Sequence, residues 1–65
     1  MAMEEKEIII GGVVTLNSGG LPMTIIEFAW NPIKEERYID RVVCEWFDGN
    51  GYKRQTFKIS SLKHI

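Results

Sequence analysis

One cysteine and one histidine are all the thiol and imidazole this chain carries. A lone Cys44 forms no intramolecular disulfide, and with His64 as its only companion it makes no ligand set for a structural zinc. No apolar run approaches the roughly 20 residues that a membrane helix needs. Residues 1–12 are acidic and then isoleucine-rich, without the basic start and small-residue cleavage site of a secretory leader. The expectation is a soluble, cytoplasmic protein with no membrane partner. An excess of one charge is missing too: 8 Lys and Arg stand against 9 Asp and Glu, a net charge of −1. That is far from the basic footprint of a protein that grips phosphate backbones, so nucleic acid is allowed as a partner but not favoured.

The chain is also short. With 65 residues it has little length for an enclosed cleft built from several separated elements, and a shared subunit surface would help it reach stability. No acid, base, nucleophile or metal set converges at recognisable spacing. Cys44 lacks a nearby base, because the only histidine lies twenty residues on, and it reads better as a small buried hydrophobe beside Trp46. His64 reads as a solvated terminal residue. The expectation is therefore a protein that is not an enzyme, with no catalytic residue, no metal and no cofactor.

What the sequence does hold is a series of β-branched and aromatic runs divided by turn chemistry. The polar residues 1–7 read as a frayed lead-in to Ile8-Ile9-Ile10, and Gly11-Gly12 breaks that run before Val13-Val14-Thr15-Leu16 begins a strand. Asn17-Ser18-Gly19-Gly20-Leu21-Pro22 is a turn, and residues 23–30 form the next strand. Asn31-Pro32 interrupts it, and residues 33–37 are too few for a lasting helix, so they form the tip of a long hairpin. Residues 41–47 are the clearest strand. Asp48-Gly49-Asn50-Gly51 turns it back into a strand over residues 52–59. Ser60-Ser61-Leu62 suits a single 3₁₀ turn laying Leu62 over one end, with Ile65 as a second plug. The sum is one mostly β domain over residues 1–65, a small antiparallel SH3-like partly closed β-barrel of four to five strands with a short C-terminal 3₁₀ turn.

Alternation assigns Val42, Cys44 and Trp46 to the core and Arg41, Val43, Glu45 and Phe47 to the other face. In the second strand Met23 and Ile25 alternate with Ile26, Phe28 and Trp30, so both faces are apolar. Either that strand twists across two cores, or one of its faces meets a partner.

At these residues the sequence resembles a small bacterial family, the YodC-like domain of unknown function. The resemblance runs through Gly12-x-Val14-x-Leu16-x-Ser18-Gly19-Gly20, Met23-Thr24, Val43-Cys44-Glu45-Trp46-Phe47, Asp48-Gly49-x-Gly51, Phe57 and Leu62, nearly everything from residue 12 to 62. It implies a compact, mostly β domain and brings no activity, cofactor or catalytic residue. Two features depart from the family pattern. Leu21 separates Gly20 from Pro22 where the family runs Ser-Gly-Gly-Pro, and residues 28–40 form an extended hairpin connection where the family has a short turn. A function particular to this chain is expected in that extension.

Several local signals have blander readings. Asp48-Gly49-Asn50-Gly51 lacks the regular oxygen ligands of a calcium loop and is a hairpin turn. Ser18-Gly19-Gly20 has no following helix or lysine to make it a phosphate cradle. Tyr52, Arg54 and Lys58 provide an aromatic and two cations for a nucleic-acid surface, set against their ordinary role in solvating an outer face. Trp30 and Tyr38 flank the extended connection, where a hairpin places them near each other across the ladder. With Phe28 they make the strongest candidate interface, large aromatics that bury much area with few rotors to freeze. The expected function is a non-enzymatic module that binds a protein partner or another copy of itself. The alternatives are a nucleic-acid-associated barrel and an oligomeric small-ligand binder.

Overall fold

The structure, a computed structural model, describes residues 3–65. Five antiparallel strands form one sheet: β1 (Val13–Leu16), β2 (Met23–Asn31), β3 (Glu36–Phe47), β4 (Tyr52–Lys58) and β5 (Leu62–His64). Their spatial order is β4-β3-β2-β1-β5. The chain thus runs as a four-strand meander, β1 to β4, and β5 returns to the free side of β1. No ladder joins β4 to β5, so the barrel stays open along that seam. A 3₁₀ turn, Ile59–Ser61, bridges β4 to β5 and delivers Leu62 into the core, fully buried.

Local chemistry sets each reversal. At the β1–β2 turn the Gly19 amide donates to the Leu16 carbonyl (2.8 Å), and the Thr15 hydroxyl donates to the Gly20 carbonyl (3.3 Å). At the β2–β3 turn the Asn31 side-chain oxygen accepts from the amides of Ile33 (3.0 Å) and Lys34 (3.3 Å), an Asx turn that Pro32 suits with its fixed φ. At the β3–β4 turn the Asp48 carboxylate accepts from the Asn50 amide (2.9 Å), and Gly49 takes φ +94°. Gly12 is required for a different reason. A Cβ there would stand 2.8 Å from the Ile9 carbonyl oxygen, which the Gly12 amide itself engages in a tight turn.

The core gathers Met3, Val14, Met23, Ile25, Val42, Cys44, Ile59 and Leu62, with Trp46, Phe28 and Phe57 packed against it. The face expected from β3 is the buried one. The double-faced apolar pattern of β2 resolves into a bulge: Ile25 pairs with Cys44, but Glu27 pairs with Val43, so Ile26 is an extra residue and the inward phase changes there. Met23 and Ile25 point inward before the bulge, and Phe28 joins the core after it.

In the polar lead-in Met3 is buried, Glu5–Glu7 make a 3₁₀ turn, and the Glu7 carboxylate accepts from the Glu4 amide (2.9 Å). Residues 1 and 2 of that stretch lie outside the described residues. Ile65, expected as a second plug, is 72% exposed, because Leu62 and Ile59 already fill that end.

Candidate interaction surface

The β2–β3 hairpin outruns its neighbours. On one side β1 pairs with β2 only at Met23 and Thr24, after which the Gly11 amide donates to the Ile25 carbonyl and the Ile25 amide to the Gly12 carbonyl. On the other, β4 ends where Lys58 pairs with Arg41. Beyond these points β2 and β3 pair with each other alone, forming an arm flanked by no described strand. Trp30, Ile33 and Ile39 are exposed on this arm, Ile33 at its turn to 92%. A groove of about 340 Å³ runs along it, bordered by Asn31, Lys34, Arg37, Tyr38 and Ile39.

The ladder leaves Tyr38 without a directly paired residue on β2. Trp30 pairs with Arg37, whereas Phe28 pairs with Val42. Between those two pairs β2 contributes only Ala29, while β3 contributes residues 38–41, so Tyr38 falls within a wide bulge. An arginine attends each ring instead. The Arg37 guanidinium lies 5.4 Å from the Trp30 ring centroid and is anchored by donating to the Glu27 carboxylate and the Phe28 carbonyl, both at 3.0 Å. The Arg41 guanidinium lies 4.6 Å from the Tyr38 ring. Phe28, the third residue expected at an interface, packs against the core and supports the base of the arm.

Tyr52, Arg54 and Lys58 share the outer face of β4. Tyr52 is 77% exposed and stands edge-on to Phe47, with ring centroids 5.4 Å apart. Arg54 is already engaged: its Nη2 and Nε donate to one Glu45 oxygen at 2.8 and 3.2 Å. Lys58 faces Arg41 across the ladder.

A second groove, of about 310 Å³, opens beside the seam and is lined by Leu16, Leu21, Met23, Trp46, Gln55 and Phe57. Sequence reasoning missed it. Its signal lies in β4, where the inward-facing positions are Lys53, Gln55 and Phe57, paired with Trp46, Cys44 and Val42. Two polar residues of three on a core face mark a strand that curls away from the core.

Cys44 is fully buried, and burial pushes its thiol up to about 11. His64 is exposed at the end of β5. Among the described residues no three His, Cys, Asp or Glu side chains gather as a metal site. Nor is any described helix long and apolar enough to cross a membrane.

A family model with the description "Uncharacterized small protein (DUF2158)" matches residues 9–62. No curated protein and no solved structure gave a match.

Proposed function

The chain belongs to the DUF2158 family of uncharacterised small proteins, and from that premise we propose that it is a non-enzymatic interaction module whose β2–β3 arm holds a protein partner or a second copy of the chain. The observation that carries this reading is the arm itself: two strands that outrun the sheet and expose Trp30, Ile33 and Ile39 to solvent. Apolar side chains on a projecting element gain most by leaving water against another surface. Cytoplasmic residence belongs to the same proposal, since a single sealed thiol suits a reducing compartment.

The nucleic-acid alternative draws on the exposure of Tyr52 and on Lys58, and it is weakened by the engagement of Arg54 with Glu45. The small-ligand alternative draws on the groove beside the seam.

The test sets the wild type beside a Trp30→Ala/Tyr38→Ala double variant, in sedimentation at rising concentration and in capture from native lysate. The proposal expects self-association or a retained protein that the folded double variant loses. A wild type that stays monomeric and retains no protein sinks it. Nucleic acid retained by both proteins and released by salt moves the working surface to β4.

A further inference from the structure

Of the three arginines, Arg37 and Arg54 each meet a carboxylate, at 3.0 and 2.8 Å. Arg41 meets none. The residue directly across the β3–β4 ladder from it is Lys58, which also has no carboxylate within ion-pairing distance among the described residues. Directly opposed residues of an antiparallel pair project from the same face with their Cβ atoms close together, and like charges placed so repel. Two cations therefore stand at directly opposed positions, with no carboxylate within ion-pairing distance of either among the described residues.

The Arg41 side chain is also fixed in place. Its guanidinium rests on the Tyr38 ring at 4.6 Å, and its Nε is shielded from solvent with no hydrogen-bond partner. The Nη nitrogens are not among the atoms that are both shielded and unpartnered, and they make no hydrogen bond among the described residues, which leaves them as the donors a ligand can reach. The bulge at residues 38–41 brings this about by placing Tyr38 within stacking reach of Arg41.

We propose that Arg41 and Lys58 form a receptor for a dianionic phosphate group of the kind carried by a phosphate monoester, with Tyr38 as the residue that positions Arg41. The forked guanidinium matches two oxygens of a tetrahedral oxyanion, and the lysine supplies a point charge for a third. Charge selects the class of ligand. Two cations balance a monoester, which carries close to two negative charges at neutral pH, whereas a nucleic-acid diester carries one. The site is independent of the arm reading, because neither Trp30 nor Ile33 takes part.

The test is a titration followed by NMR, with the Arg41 Nε–H and the Lys58 amide as reporters. The probes are inorganic phosphate, dimethyl phosphate as the diester analogue and a single-stranded oligonucleotide. Saturable shifts with inorganic phosphate are expected, weakened about tenfold or more in Arg41→Gln and in Lys58→Gln and unchanged in Arg54→Gln and Trp30→Ala. The amide spectrum reports at once whether each variant is folded, and Lys58, on the exposed face, gives the safer substitution. Absence of saturable shifts, or shifts that persist in both charge-removing variants, overturns the site. Equal or tighter binding of dimethyl phosphate or of the oligonucleotide overturns its assignment to a monoester.

Discussion

Cys44 illustrates how far one side chain can be read from its neighbours in sequence. Its place between Val42 and Trp46 on an alternating strand identifies it as core, and the structure buries it completely. Burial disfavours the thiolate and pushes the thiol from 9.0 up to about 11. Between those values the unfolded chain has released this proton while the folded chain still holds it, so folding stability falls as pH rises from about 9 towards about 11. Denaturant titrations across that range are expected to show the decline in the wild type and a flatter profile in Cys44→Ala. Below pH 9 the native thiol is expected to react with a disulfide reagent only as fast as the chain opens. Equal reactivity in the folded and denatured protein contradicts this. Gly49 offers a second residue-level test. Its φ of +94° is unfavourable for any residue with a Cβ, although a Cβ built there meets nothing within 4 Å. Gly49→Ala is expected to cost about 1–2 kcal/mol, all of it conformational, measured by urea unfolding. Arg41 and Tyr38 mark the limit of reading by residue, because their stacking depends on a bulge that alternation does not announce.

At the scale of the element, turns were the legible part of the fold and bulges the illegible part. Asp48-Gly49 and Asn31-Pro32 declare their reversals through side-chain acceptors and fixed dihedrals, and both reversals occur where those residues stand. β3 was legible from residue 41 onward because its alternation is unbroken there. Before that point three residues more than β2 contributes are absorbed into the ladder, which is why Trp30 meets Arg37 rather than Asp40. A bulge costs no particular residue type, so composition leaves no trace of it; only the clash of two inward phases in β2 hinted at one. The Ile26 bulge is what allows Ile25 and Phe28 to pack on one core. Inserting one residue between Val43 and Cys44 would give Ile26 a partner, restore even pairing and force Ile25 or Phe28 outward. A loss of about 2–5 kcal/mol is expected, the range for emptying a large side chain's place in a core, with Ile26→Ala costing much less. If the insertion and the alanine variant unfold at the same urea concentration, the bulge does not set the phase.

For the whole molecule the consequence of an open seam is that closure depends on a few long-range contacts at the chain's end. β5 is three residues long and β4 does not pair with it, so the end of the core is held by Leu62 beneath and by Asn17 from the β1–β2 turn. Asn17 clasps the 3₁₀ turn twice, its backbone amide donating to the Ser61 carbonyl (2.8 Å) and its side-chain Nδ2 to the Ser60 carbonyl (2.9 Å). Met3 seals the core from the opposite end of the sequence, an arrangement no periodic pattern foretold, since a single buried methionine ahead of a polar stretch has no alternation to reveal it. A domain of 65 residues buries only a modest part of its unfolded surface and has little stability to spare. Leu62→Ala should therefore remove about 2–5 kcal/mol, enough to leave much of the population unfolded at room temperature. Asn17→Ala removes one of the two clasping bonds and should cost about 1 kcal/mol. Its effect should be local: faster amide exchange in β5 and the preceding 3₁₀ turn, with β2 and β3, paired along most of their length, keeping the protection of global unfolding. Uniform acceleration across all five strands would mean that the seam is no weaker than the rest of the sheet and that the molecule opens only as one unit.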